Sequence, residues 1–99
     1  MGNEAMNRIK FFQDARMHCE DALSKSPDML PLEWVIAQLN YLIDVEKGNI
    51  KDTSALLEIK IAWIAVREMD GYEDKDLIHK LCVVSDEVEK MIAEKKLIK

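Results

Sequence analysis

Apolar residues recur along the chain at intervals of three and four, and no stretch alternates long enough to make a strand. A first helical pattern runs from about Glu4 to Ser24, with Ala5, Ile9, Phe12, Cys19, Ala22 and Leu23 on one face. The SPDMLP stretch at 26–31 ends it, since neither Pro27 nor Pro31 can continue a helix interior. Pro31 suits the first turn of a second helix, expected over about Pro31 to Lys47. Its core stripe is Leu32, Val35, Ile36, Leu39, Leu42 and Ile43, and Gly48 is placed to terminate it. A second stripe on the same helix carries Trp34, Gln38, Tyr41 and Val45, which is more amphipathic than plain solvent requires.

The third pattern is different in kind. After the DTS of 52–54, where Asp52, Thr53 or Ser54 can cap an N-terminus and Ser54 with Glu58 approximates a capping box, the run from Leu56 to Val66 is apolar almost all round. That composition predicts one continuous central helix ending near Asp70-Gly71, with Trp63 filling the core. It runs straight into an acidic stretch, Glu68, Asp70, Glu73, Asp74 and Asp76. A fourth helix is expected from about Asp74 to Lys95, with Leu77, Ile78, Leu81, Val84, Val88, Met91 and Ile92 facing inward. Acids at its start and Lys95 and Lys96 at its end suit the helix dipole. The predicted fold is all-α: a single-domain antiparallel bundle of about four helices spanning residues 1–99.

Composition narrows the functional classes. The 99 residues are 48% hydrophobic and 33% charged, which fits one folded core. A net charge of −5 disfavours nucleic acid and anionic membrane surfaces as partners, and favours a basic protein. The start MGNEAMNRIK has no apolar signal core and misses the usual myristoylation pattern at its sixth residue, and no run is long enough to cross a membrane. The two cysteines, Cys19 and Cys82, sit within helical patterns and read as reduced thiols of a cytoplasmic protein.

Candidate chemistry changes the picture little. His18 and Cys19 on the first helix could meet His79 and Cys82 on the fourth around zinc, but adjacent residues of one helix point about 100° apart. Glu73 with Asp76 and Asp86 with Glu89 have the internal spacing of magnesium-binding acid pairs in helical nucleotide pyrophosphatases. Thirteen residues separate the two pairs, about 220° around a helix, so they diverge. DGYEDKDLI places its glycine too early for an EF-hand loop, and neither a glycine-rich phosphate loop nor a nucleophile–base arrangement is evident. No catalytic residue, metal or cofactor is expected.

The aromatic residues say more. Trp34, Tyr41, Trp63 and Tyr72 cluster around the second and third helices, and interfaces favour such side chains at their centre with charged rims. Asp44, Glu46, Glu68, Asp70, Glu73 and Asp74 would supply that rim. Trp34 and Tyr41, on the second stripe, suit a partner interface as well as a core.

Residues 36–70, IAQLNYLIDVEKGNIKDTSALLEIKIAWIAVREMD, resemble the small helical immunity proteins that neutralise NAD(P)⁺ glycohydrolase effectors of bacterial type VI secretion. The resemblance rests on Gln38, Leu39 and Tyr41, on Ser54, Ala55 and Leu56, and on Ile64, Ala65, Val66, Glu68 and Asp70, with Pro27 before the second helix also matching. It covers the central half to two thirds of the chain, and the tail from Glu87 departs from it. It implies a non-enzymatic inhibitor in the producing cell's cytoplasm. The inhibitor would occlude the active site of a basic, nucleotide-processing toxin domain through Trp34, Tyr41, Asp44, Glu68, Asp70, Tyr72, Glu73 and Asp74. The alternative readings are an adaptor that forms a homodimer through Trp34 and Tyr41, and a metal-dependent nucleotide hydrolase.

Overall fold

The computed structural model describes residues 2–69 and 74–97, with side chains from residue 7 onward. Helix α1 spans Gly2–Lys25, α2 Pro31–Glu46 and α4 Lys75–Glu94. Between them lies a short 3₁₀ turn, Ser54–Glu58, then the three-residue α3, Ile61–Trp63, which runs on as a π turn over Ile64–Glu68. No strand occurs among the described residues. The all-α bundle is therefore as expected.

The three long helices form where period and punctuation agree. Phe12, Ala15, Cys19 and Ala22 are buried along α1, and Ile9 is only half-buried. Leu32, Val35, Leu39, Leu42, Ile43 and Val45 are buried along α2. Leu77, Leu81, Val84, Val88, Met91 and Ile92 are buried along α4. Each large aliphatic side chain removed from water contributes roughly 1.5–3 kcal/mol. Pro31 occupies the first turn of α2. At the other end of α2, Gly48 takes φ +79°, its amide donates to Val45 and the Asn49 amide donates to Asp44. That pair of bonds is a Schellman motif, and it explains why glycine stands there. The α4 terminus repeats the motif with Lys96 at φ 57°, the Lys96 amide donating to Ala93 and Leu97 to Ile92.

Side-chain pairs set the directions of the helices. Arg8 meets Glu46 and Arg16 meets Asn40, so α2 runs antiparallel to α1. Arg8 also meets Glu87 and Glu94, Asp14 meets Lys80, and His18 meets Asp74, so α4 is antiparallel to α1 as well. Arg8 is the hub of one end of the bundle. It bonds Glu87 at 3.0 Å, Glu46 at 3.3 Å and Glu94 at 2.9 Å, drawing together three helices. Hydrogen bonding to Glu94 and Glu87 raises the guanidinium pKa above its ordinary value despite partial burial. Glu46, with a side chain only 9% exposed, belongs to this knot and not to the acidic rim expected for it.

The third pattern departs from expectation. It is not one central helix. Ile59 is extended (φ −68°, ψ 129°) and Lys60 non-helical, which separates the 3₁₀ turn from α3. The Ser54–Glu58 box is not formed; instead Asp52 Oδ1 accepts from the Ser54 amide at 3.0 Å and from its hydroxyl at 2.8 Å, a local turn that the short polar side chain stabilises. Only Leu56, Ile61, Ile64, Ala65 and Met69 of this region are buried. Ile59 is half-buried against the core, while Leu57, Trp63 and Val66 are exposed, because a segment laid across α2 and α4 can bury one side only.

Replacing Arg8 with alanine should lower stability by about 2 kcal/mol, since charge-assisted bonds to three carboxylates go at once and the acids are left facing each other. Urea unfolding measures it.

Candidate functional site

Two side-chain acceptors hold the third segment in place. The Lys60 amide donates to Gln38 Oε1 of α2 at 2.8 Å. The Ala62 amide donates to Ser85 Oγ of α4 at 2.9 Å. These amides stand at the N-terminus of α3, where intrahelical acceptors are lacking. The Ile64 amide then closes the first turn on the Lys60 carbonyl at 2.8 Å, and the Met69 amide closes the π turn on Ile64 at 3.2 Å.

The consequence is an outward-facing aromatic edge. Trp63 is 51% exposed and Val66 57% exposed, with Leu57 beside them at the border of exposure. Trp63 was expected in the core; the break at Ile59-Lys60 and the stripe Ile61, Ile64/Ala65, Met69 turn it to the opposite side. The Arg67 guanidinium lies over its ring at 5.7 Å, a cation–π contact. Trp63, Leu57, Ile59 and Ala62 form one wall of a surface groove whose other wall is Ser85, Val88 and Ile92 of α4.

On α2, Trp34, Gln38 and Tyr41 share one side of the helix, one turn apart. Gln38 reaches Lys60, and the Tyr41 hydroxyl donates to the Asp52 carbonyl at 3.4 Å. α2 also packs on the π turn. Trp34, a turn before Gln38, is 50% exposed. The stripe that looked too amphipathic for solvent thus serves two ends: Tyr41 and Gln38 bind the third segment, and Trp34 stays open.

The acidic candidates divide. Glu68 is exposed at the end of the π turn, and Asp44 is half-buried on α2. Asp70, Tyr72 and Glu73 lie outside the described residues. Asp74 is committed within the fold: its Oδ1 accepts from the Leu77 amide at 3.0 Å as the N-cap of α4, and its Oδ2 meets His18 Nε2 at 2.8 Å. Lys80 Nζ sits 3.2 Å from His18 Nδ1 and 2.8 Å from Asp14 Oδ2, so the chain Asp14–Lys80–His18–Asp74 ties α1 to α4. With Lys80 donating to Nδ1, His18 donates from Nε2. The Leu77 amide and then His18 hold the Asp74 carboxyl below the usual carboxylate range, and Lys80 does the same for Asp14.

For metal chemistry the placement is plain. Cys19 is buried and its thiol is pushed up to about 12 by that burial, while Cys82 is half-buried. His18 is engaged with Asp74 and Lys80, and His79 is exposed. Among the described residues no group of three or more His, Cys, Asp or Glu side chains is placed to hold a metal ion.

A site built of half-exposed tryptophans beside charged residues is suited to holding a protein. Comparison with known families agrees with that reading. The family model Tsi6 matches residues 7–91, nearly the whole chain. The chain belongs to the Tsi6 family. Tsi6 proteins are immunity proteins of type VI secretion, and an immunity protein implies a toxin as partner. The match extends well into α4, beyond the 36–70 stretch that carries the resemblance in sequence. No curated protein and no solved structure matches the chain. No described helix is long and apolar enough to cross a membrane.

Trp63 was missed as a surface residue although a signal existed. Ile61, Ile64, Ala65 and Met69 alone complete a buried stripe, and Trp63 and Val66 fall outside it.

Two outcomes follow for stability. Trp63→Ala should cost under about 1 kcal/mol, against about 2–5 kcal/mol for Leu81→Ala in the core; chemical unfolding of both variants compares them. Asp74→Ala should cost about 1 kcal/mol at neutral pH through loss of the cap. Because the folded carboxyl titrates below its unfolded value, that contribution is present above about pH 4 and is lost as pH falls toward the folded value. The gap in midpoint between Asp74→Ala and the parent should therefore close in acid, read by thermal unfolding from neutral pH to below pH 4.

Proposed function

We propose that this protein binds the catalytic domain of a cognate type VI secretion toxin, an NAD(P)⁺ glycohydrolase, and occludes its active site in the cytoplasm of the producing cell, with no chemistry of its own. The observation that carries the reading is the pair of half-exposed tryptophans, Trp34 and Trp63, on a member of an immunity family. Tryptophans in such positions supply most of the binding energy of an interface when a partner covers them. Glu68 is exposed at the end of the turn that Trp63 leads into, and with Asp70, Tyr72 and Glu73, the next charged or aromatic residues in sequence, it makes the proposed rim. A toxin that takes a dinucleotide needs cationic groups for the pyrophosphate. A chain of net charge −5 competes for such a cleft by charge, which also speeds encounter.

The size is adequate. A standard interface takes about 800 Å² from each partner, a modest share of the 6353 Å² that this protein exposes. Tyr41 contributes by holding the segment through Asp52, and Asp74 by capping α4, so both support the surface from within. A homodimer that buries the same tryptophans is the rival reading, and it predicts a concentration-independent dimer mass without toxin.

The test is co-expression with the toxin domain encoded beside this gene. Growth and NAD⁺ should both collapse with the toxin alone and recover with this protein. Killing without NAD⁺ loss would keep immunity and discard the glycohydrolase. A harmless neighbour would favour the homodimer. Trp34→Ala and Trp63→Ala should each weaken the complex by about 30- to 1000-fold. Glu68→Lys with Asp70→Lys should chiefly slow association and flatten its salt dependence; stopped-flow mixing at two ionic strengths measures it.

A further inference from the structure

The geometry points to Gln38 and Ser85 as positioning residues for the proposed toxin-binding surface: neither need touch the toxin, and together they aim Trp63. This rests on the proposed function for its partner, but its structural half stands alone. α3 has three residues and continues into a five-residue π turn. A helical piece of that length has no stability of its own in water. Its start carries no cap from its own neighbours: Lys60, at the N-cap, makes no side-chain bond to the helix. The acceptors come instead from two other helices, Gln38 on α2 and Ser85 on α4, 22 and 23 residues away in sequence.

The two bonds act from opposite sides. Gln38 fixes the Lys60 peptide against α2, and Ser85 fixes the Ala62 peptide against α4. Trp63 is the next residue, so the direction of its Cα–Cβ bond follows from where those two peptides are held. The buried side chains Ile61, Ile64, Ala65 and Met69 choose the side of the segment that faces inward. The two amide bonds to separate helices then pin where its first turn begins. Pre-orienting an aromatic anchor removes ordering cost at the moment of binding, so the effect appears as affinity.

The test compares acceptor-free and acceptor-keeping variants: Gln38→Met and Ser85→Ala against Gln38→Glu and Ser85→Thr. Arg8→Ala, whose ion pairs go to Glu46, Glu87 and Glu94 and to neither Gln38 nor Ser85, serves as a control that loses stability without removing either acceptor. Each acceptor-free variant should raise the Kd for the toxin domain about three- to tenfold, measured well below its unfolding midpoint. The acceptor-keeping variants should return to within about twofold, and Arg8→Ala should leave Kd unchanged. In the free protein, amide exchange over residues 60–68 should quicken in Gln38→Met and Ser85→Ala and stay slow in the acceptor-keeping pair. Acceptor-free variants that bind as tightly as the parent, or an equal loss of affinity in Arg8→Ala, would overturn the positioning role while leaving the immunity function standing. A parent chain that fails to bind the toxin removes the proposed function instead. The exchange measurement then still decides: unchanged rates over 60–68 in the acceptor-free variants overturn the positioning claim.

Discussion

The hydrogen bond from the Lys60 amide to Gln38, with its counterpart from Ala62 to Ser85, is the constraint on which the surface of this molecule depends. α1 packs on both α2 and α4, and these three helices supply most of the buried side chains. The chain must still cross from the end of α2 to the start of α4. It does so with a broken segment lying over both helices. Where that segment begins its turn determines which of its apolar residues go in and which come out. Ile61, Ile64, Ala65 and Met69 go in; Trp63 and Val66 come out. A single continuous helix from Ser54 would have distributed them differently.

The two ends of the bundle are held by charge. At one end Arg8 gathers Glu46, Glu87 and Glu94. At the other the chain from Asp14 through Lys80 and His18 to Asp74 joins α1 to the first turn of α4. Each cross-link lets acidic side chains be used for the fold, so net charge alone overstates the acid available to a partner. Glu68, exposed at the close of the π turn, stands apart from both networks. The division of labour is spatial: ion pairs at the ends, tryptophans on the crossing segment and on the neighbouring side of α2.

The long helices were legible because the helical period coincided in each with a terminating signal: Pro27 after α1, Pro31 and Gly48 around α2, and charges at both ends of α4. Period, proline and glycine punctuation, and the position of charges all mark α2 between Pro31 and Gly48. The crossing segment was not legible, since IAWIAV satisfies a central helix and a half-buried one equally well. The deciding groups, the Gln38 amide oxygen and the Ser85 hydroxyl, lie more than twenty residues away and show no local mark. Among the site residues, the stripe pattern left Trp34 open between core and surface; it is exposed, while Val45 of the same stripe is buried. Asp74 was read as rim although an aspartate three residues before Leu77 is also an N-cap signal, and the cap won. Glu46 was drawn inward by an arginine near the other end of the chain, which no local pattern announces.

The crossing segment and the first turns of α2 make up the proposed face that meets the toxin. Hydrogen exchange of the purified complex, compared with the free protein, tests it most directly. Exchange should slow in the peptides covering residues 60–69 and the first turns of α2, with the α1 peptides around Arg8 unchanged. Protection confined to α1, with residues 60–69 exchanging as fast as in the free protein, would contradict this placement.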